Sequence, residues 1–252
     1  MKPAVMKGWR PAAVLLLLFI LWELAVNIAE VPAWLLPPPS AILQEALSGW
    51  PGFQPHLQST VALSLLGFAI GAGIGLIAAV LLHLIPLLRE SVYPLLILSQ
   101  NVPIIVLAPL LVVWFGFGIL PKLIVITLVC FFPVTIAALD GFRQTPREMK
   151  HYMLMAGATK SQLFRKLELP YSLPSIFSGL KISATYSVMG AVISEWLGAK
   201  SGIGVYMTLS SSSFRTDRVF VAIFAIMALS LLFFGLILLA ERLMVRWEGE
   251  KN

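Results

Sequence analysis

The sequence predicts an all-α integral membrane protein with six membrane-spanning helices and both termini in the cytoplasm. Apolar residues make up 59% of its 252 residues and charged residues only 12%, about half the share that is usual in soluble proteins. Long apolar runs alternate with short polar segments, and such runs are long enough to cross a bilayer as helices. Most of the 18 Lys and Arg residues fall in segments that this topology places inside, as the positive-inside rule expects. The net charge of +6 is therefore attributed to membrane topology rather than to nucleic-acid binding.

The first predicted span covers residues 12–29 and follows a basic N-terminal segment. A secretory signal peptide has a similar start, but this run is longer, contains Trp22 and Glu23, and lacks a small-residue cleavage site. We therefore expect a retained span. The Pro-rich stretch 31–39 cannot be helical throughout, and Ser40 is expected to cap a short helix over residues 41–47. A second break is expected at residues 49–55.

The second and third predicted spans cover residues 60–85 and 92–113. In the second, Gly67, Gly71 and Gly75 recur at every fourth position, a spacing that lets helices approach closely, within one chain or between chains. The middle of the third span holds three polar residues and then Pro103. Polar side chains at this depth need partners, so they are expected to line a pore or to hold helices together.

The remaining spans are predicted at residues 120–139, 176–197 and 219–239, with a Ser-rich outer loop at 198–218. Cys130 is expected to be a buried apolar residue. The fifth span is unusually polar, and its serines fall near one helical face, which would suit a hydrophilic solute if that face lined a path. The alternative is that these residues only pack helices together. The predicted translocation path comprises Ser99, Gln100, Asn101, Ser183, Tyr186, Ser187 and Glu195.

A long polar segment, residues 141–175, separates the fourth and fifth spans and cannot lie in hydrocarbon because of its charges. It reads as a helical elbow, with one helix near residues 151–156, a flexible Gly157, and a second helix capped by Thr159 or Ser161. Pro170 and Pro174 are expected to end that second helix. The apolar ridge of the elbow suits a groove on a soluble partner or a surface of anionic lipid. Six basic residues lie in the segment: Arg143, Arg147, Lys150, Lys160, Arg165 and Lys166.

The elbow resembles the "EAA" loop signature of importer-type ABC permeases. The resemblance rests on Gly157-Ala158 and on Leu167-Glu168-Leu169-Pro170, which follows at the family's spacing, whereas His151, Tyr152 and Met153 stand where the family has Glu-Ala-Ala. It implies a type I ABC importer permease fold in one domain, residues 1–252, with a cytoplasmic loop that docks on an ATPase. The residues expected to serve this coupling are Met149, His151, Tyr152, Ala156, Gly157, Ala158, Leu163, Phe164, Leu167, Leu169 and Pro170.

The resemblance also implies the partners of the chain. They are a second copy of the chain, two cytoplasmic ATPase subunits, an extracytoplasmic solute-binding protein and the surrounding membrane lipid. The sequence has no G-x-x-x-x-G-K-[ST] phosphate loop, so ATP and Mg²⁺ are expected in the partner ATPase and no cofactor is expected in this chain.

Enzyme and metal motifs are also missing from the sequence. It has no H-E-x-x-H zinc motif and no G-x-S-x-G elbow, so neither a metal site nor an enzymatic activity is expected. A secondary transporter or channel stays as an alternative, although its usual mid-membrane charge pairs and inverted repeats are not evident.

Two stretches point to the cargo. Residues 173–182 are similar to the nitrate, sulfonate and taurine branch of these permeases, and residues 184–199 are similar to permeases for aminopyrimidine precursors of thiamine. The expected function is import of a small polar solute across the cell membrane, with an aminopyrimidine as the first expectation. A sulfonate, taurine or nitrate is the alternative.

Overall fold

The computed structural model describes residues 5–245 and the side chains of residues 9–245. Within that range the chain is helical and has no β-strand, which confirms the predicted all-α class. The elements are α1 (Val5–Ile28), α2 (Pro39–Ser48), α3 (Trp50–Leu84), α4 (Pro86–Ser99), α5 (Ile104–Phe115), α6 (Ile119–Arg143), α7 (Arg147–Met155), α8 (Lys160–Leu163), a π-helical turn (Phe164–Glu168), α9 (Leu169–Glu195), α10 (Ile203–Ser212) and α11 (Thr216–Met244).

Five helical segments among the described residues are long and apolar enough to cross a membrane: α1, α3, α6, the continuous unit Lys160–Glu195, and α11. A sixth crossing is obtained if the bent pair α4 and α5 forms one broken span. These segments support the multi-pass architecture that the sequence predicts. Lys2, Arg246 and Lys251, which contributed to the predicted orientation, lie outside the described residues.

The helices define two ends of the molecule. The "loop end" holds the last turn of α3, the end of α6, the elbow and the start of α9. The "far end" holds α2, the start of α3, the turn between α5 and α6, and α10. The two ends carry separate clusters of polar contacts, which are described below.

α6 lies at the centre and packs against α3, α5 and α9. Its buried side chains, among them Ile126, Val134 and Phe142, are fully enclosed. The close approach of α3 depends on glycine, because a Cβ added at Gly71 would lie 2.7 Å from both the carbonyl oxygen of Thr127 and Cβ of Cys130. Gly67 and Gly75 also face α6. The predicted glycine contact is therefore confirmed, and it lies within one chain.

The close packing of α6 against α9 also depends on small residues. A Cβ added at Gly179 would lie 2.8 Å from the carbonyl oxygen of Pro133. Cys130 is fully buried between the two helices, as predicted, and its Sγ lies 3.5 Å from the carbonyl oxygen of Ser183.

The third predicted span is not one continuous helix. α4 and α5 meet at an angle of 99° across residues 100–103. Pro103 supplies no backbone N–H, and two polar side chains add hydrogen bonds to backbone carbonyl groups just before the break. Asn101 Nδ2 donates to the carbonyl oxygen of Ile97 at 2.7 Å, and Ser99 Oγ donates to that of Leu96 at 3.0 Å.

Three predicted helix breaks are wrong. α3 begins at Trp50 rather than after residue 55, because Pro51 lies in its first turn, where a backbone N–H has no helical partner. At the other end of the bundle, Pro170 and Pro174 do not end the elbow helix. The chain passes through the π-helical turn into α9, with Pro170 at the start of that helix and Pro174 inside it.

Two further local predictions also need correction. Ser40 does not cap α2, since the N-cap residue is Pro38. Instead, Ser40 donates from both its backbone nitrogen and its Oγ to the carboxylate of Glu23, at 3.0 and 2.7 Å. The Ser-rich outer loop contains the helix α10, which the composition did not indicate.

Charged residues fasten the far end and the side of the bundle. Arg215 and Arg218 both pair with Glu45 of α2, and hydrogen bonding to Asp217 raises the pKa of Arg215 above its ordinary value. Lys181 of α9 pairs with Glu241 of α11 at 2.9 Å.

The glycine contact gives a test of the core. Replacement of Gly71 by Val should destabilise the purified protein by about 1–3 kcal/mol, because its side chain would overlap α6. The same replacement at Gly73, two residues away, is the matched control, since nothing lies within 4 Å of a Cβ there. Thermal unfolding in detergent would measure both, and equal losses would contradict the close approach.

Candidate coupling surface and translocation path

The turn at Gly157 and the cap at Thr159 are as the sequence predicts, but the first helix of the elbow begins at Arg147 rather than near residue 151. α7 ends at Met155, and Gly157 then turns the chain with φ +82°, a conformation that favours glycine. Thr159 is the N-cap of α8 and forms a capping box with Gln162. Its Oγ1 accepts from Gln162 N at 3.2 Å, and Gln162 Oε1 accepts from Thr159 N at 2.8 Å. This tight turn joins α7 to the helix that leads into α9.

An exposed apolar surface covers α7, and we call it the elbow surface. It consists of Met149, Tyr152, Leu154 and Met155, whose exposed fractions are 51%, 73%, 48% and 81%. His151, Ala156 and Gly157 are exposed beside it. Leu154 and Met155 were missed as candidates. The signal for them was available, because they extend the apolar run of a short helix in an otherwise charged segment.

The other predicted coupling residues are half-buried rather than exposed. Phe164 and Leu169 pack against a core cluster of the loop end that includes Leu82, Leu139 and Phe142. In this conformation they hold the elbow to the bundle. Four more of the predicted set are half-buried as well: Ala158, Leu163, Leu167 and Pro170.

A buried ion cluster joins the elbow to α3. The carboxylate of Glu168, at the end of the π-helical turn, is only 6% exposed. Its Oε1 lies 2.6 Å from Nζ of Lys150 on α7, and its Oε2 lies 2.8 Å from Nε2 of His83 on α3. Nothing in the spacing of these three residues along the chain indicates that they meet.

The predicted path serines of the fifth span point into the subunit. Ser183 Oγ donates to the carbonyl oxygen of Cys130 on α6 at 2.8 Å, and Ser187 Oγ donates to that of Ala184 at 2.8 Å. Both residues are fully buried. In this conformation they pack α9 against α6, and a place in a translocation path would need these helices to separate.

Glu195 is also buried, with 1% of its surface exposed. Its Oε1 accepts from Thr60 Oγ1 at 2.7 Å, and its Oε2 accepts from the backbone nitrogen of Gly204 at 2.8 Å. Thr60 Oγ1 in turn accepts from the backbone nitrogen of Ile203 at 2.8 Å. The carboxylate therefore satisfies the N-terminus of α10, where negative charge is favourable, and it ties α10 to α3 and α9.

Four of the seven predicted path residues reach the surface of the subunit. Ser99, Gln100 and Asn101 are exposed at the break between α4 and α5, and Tyr186 is 44% exposed on α9. The described residues contain no group of three or more potential metal ligands.

A cavity of about 490 Å³ opens at the far end, between the start of α3, the turn before α6 and the loop after α9. Its polar groups come from Ser59, Lys122, Lys200 and Ser201, and Phe117 adds an aromatic wall. In the side chains described, neither lysine pairs with a carboxylate. Lys122 and Lys200 lie on elements that are distant along the chain, so their meeting at one cavity could not be predicted from the sequence.

Comparison with known proteins supplies independent information. Residues 71–246 match the family described as the binding-protein-dependent transport system inner membrane component. The chain is 35% identical over 242 residues to the formylaminopyrimidine transport permease protein ThiX of Halalkalibacterium halodurans, with 96% of each chain covered.

Two other relatives carry different names. The riboflavin transport system permease protein RibX of Chloroflexus aurantiacus is 33% identical, with 93% of this chain and 88% of the relative covered. The putative aliphatic sulfonates transport permease protein SsuC of Bacillus subtilis is 30% identical, with 96% and 89% covered.

The buried contacts of Glu195 predict a strong dependence on Thr60. Replacement of Thr60 by Val should destabilise the protein by about 1–3 kcal/mol, because the N–H of Ile203 and the carboxylate of Glu195 both lose a buried partner. The same replacement at Thr208, an exposed residue of α10 whose hydroxyl bonds only within its helix, is the control. Thermal unfolding in detergent measures the difference, and an equal effect at both positions would contradict the assigned network.

Proposed function

The chain belongs to the family of inner membrane components of binding-protein-dependent transport systems, and we propose that it imports an aminopyrimidine as half of a homodimer. It is a permease component of an ABC importer and a multi-pass protein of the inner membrane. Members of this family act together with ATPase and solute-binding partners.

The loop end faces the cytoplasm in this proposal, and the elbow surface docks on the ATPase, which binds ATP and Mg²⁺. The support is the combination of exposed apolar and basic residues in one short segment. Tyr152 and Met155 are largely exposed, while Arg147, Lys160 and Arg165 on the same elbow are exposed charges that disfavour immersion in hydrocarbon. An apolar ridge on such a helix suits a groove on a soluble protein.

A second copy of the chain completes the path in this proposal. α9 presents an exposed stripe of Ile182, Tyr186 and Met189 at helical spacing, and the break between α4 and α5 exposes Ser99, Gln100 and Asn101. Polar residues at such a break are expected to face protein or a water-filled cavity rather than lipid. In the conformation described, the proposed path residues are therefore Ser99, Gln100, Asn101 and Tyr186.

The proposed mechanism is alternating access driven by the ATPases. ATP-dependent closure of the ATPases moves the elbow, and the elbow continues into α9 through the π-helical turn without a loop. A displacement of the elbow therefore tilts α9 together with α6, against which it packs closely. This tilt changes which side of the membrane the path opens to.

The cargo proposal rests on one observation, the 35% identity to the formylaminopyrimidine permease over 96% of both chains. Another relative is named for transport of riboflavin, which is also a nitrogen heterocycle. The half-exposed ring of Tyr186 supplies a surface on which a flat heterocycle can stack.

Import of a sulfonate is the second candidate. The relative named for aliphatic sulfonates supports it, and so does the far-end cavity. Lys122 and Lys200 place two ammonium groups at a cavity of about 490 Å³, and an ammonium group attracts a sulfonate by charge and hydrogen bonding. An uncharged aminopyrimidine would gain less from two lysines.

Uptake in cells separates the two cargoes. Deletion of the gene should abolish uptake of labelled formylaminopyrimidine and leave taurine uptake unchanged, and the parent gene should restore the loss. The double variant Lys122→Gln/Lys200→Gln should retain formylaminopyrimidine uptake. Loss of taurine uptake alone on deletion would favour the sulfonate candidate, and normal uptake of both would contradict the cargo proposal.

Docking of the elbow surface is tested by co-purification with the ATPase. Replacement of Met155 by Glu should weaken the association by about 10-fold or more, since burial of a Met side chain contributes roughly 1.5–3 kcal/mol. Replacement of Leu47 by Glu is the control, because Leu47 is 73% exposed but lies at the far end. Equal amounts of bound ATPase in both variants would contradict docking at this surface.

A further inference from the structure

Three elements of the loop end meet at one carboxylate. Glu168 ends the π-helical turn, Lys150 lies on α7 and His83 lies in the last turn of α3. One oxygen of Glu168 contacts Lys150 at 2.6 Å and the other contacts His83 at 2.8 Å. Both oxygens of the carboxylate are engaged. Glu168 therefore links α7 to α3 and links the π-helical turn to both helices.

Aromatic packing holds the histidine in place. The ring centroid of His83 lies 4.8 Å from that of Phe142 on α6 and 5.8 Å from that of Phe164. Phe164 and Glu168 are the first and last residues of the π-helical turn, so His83 contacts both ends of it. Single π-turns inside helices occur frequently at functional sites.

The other acidic residue of the elbow has no comparable environment. Glu148 is exposed on the first turn of α7 and makes no ion pair in the described part of the chain. Glu168 is 6% exposed, so water has little access to compete for its contacts with Lys150 and His83. The two residues therefore carry the same carboxylate group, but only Glu168 links α7 to other helices.

We propose that Glu168 is a positioning residue that transmits movement of the elbow to α3 and α9. The inference rests on the proposed docking of the elbow to the ATPase. Lys150 belongs to the helix that carries the elbow surface, while Glu168 is continuous with α9 and is joined to α3 through His83. A displacement of α7 therefore moves both α3 and α9. Loss of the carboxylate charge lets α7 move without displacing these two spans.

The test uses the assembled complex of permease, ATPase and solute-binding protein in proteoliposomes. ATP hydrolysis and uptake of labelled formylaminopyrimidine are measured on the same preparation, with taurine as the second labelled solute. In Glu168→Gln, hydrolysis should stay within about twofold of the parent while uptake falls at least tenfold. The number of ATP molecules hydrolysed per solute should rise accordingly.

Two further variants and one control keep the test independent of folding. Lys150→Gln removes the other charge of the pair from a more exposed position and should raise the same ratio. The exchange Lys150→Glu/Glu168→Lys restores the ion pair with α7 but removes the carboxylate from His83, so uptake should rise above that of Glu168→Gln and stay below that of the parent. Glu148→Gln is the matched control and should leave both rates unchanged.

The outcomes distinguish the inference from the function on which it rests. A parent complex without ATP-driven uptake of either solute would overturn the proposed function and the inference together. A parent that transports, with an unchanged ratio of hydrolysis to uptake in Glu168→Gln and Lys150→Gln, would overturn the inference alone. A parallel loss of both rates in these variants would assign Glu168 a purely structural role and would also overturn it.

Discussion

Hydrocarbon offers no hydrogen-bond partners, so every backbone N–H and carbonyl group at membrane depth must be satisfied by the protein itself. The chain meets this constraint mostly by continuous helix, and its irregular points are the places where side chains replace the backbone. Asn101 and Ser99 donate to carbonyl oxygens at the break between α4 and α5. At the far end, Glu195 and Thr60 satisfy the first N–H groups of α10. Each such point is also a place where function is predicted or proposed.

Close packing in this protein has to be achieved without a hydrophobic driving force between helices, because lipid tails are as apolar as the side chains. Small residues take this role at the contacts of α6. Gly71 and Gly179 let α3 and α9 approach its backbone, and Ser183 bonds directly to one of its carbonyl oxygens. The centre of the bundle is therefore a closely packed unit of three helices, α3, α6 and α9, against which the broken span and α10 pack.

The sequence was sufficient for the all-α class, for the approximate positions of most spans, and for the turn and cap at the centre of the elbow. These features depend on apolar run length, on Gly157 and on the capping box of Thr159, which are all local properties. Helix ends were less predictable where proline occurs, because Pro51 and Pro170 fall in first turns that tolerate it.

The cluster of Glu168, His83 and Lys150, the network of Glu195, and the cavity beside Lys122 and Lys200 depend on contacts between distant segments. A single sequence without known pairings does not contain that information. The serines of α9 show the same limit, since a polar stripe has the same pattern whether it faces water or a neighbouring helix.

The buried position of Cys130 has a practical consequence. It is the single cysteine of the chain and is fully enclosed between α6 and α9, so water-soluble maleimide reagents have no access to it in the folded protein. A thiol placed at an exposed position would therefore be the reactive one in an otherwise native background. Spin labels or fluorophores attached in this way can report which side of the bilayer each end of the bundle faces, without prior removal of a native cysteine.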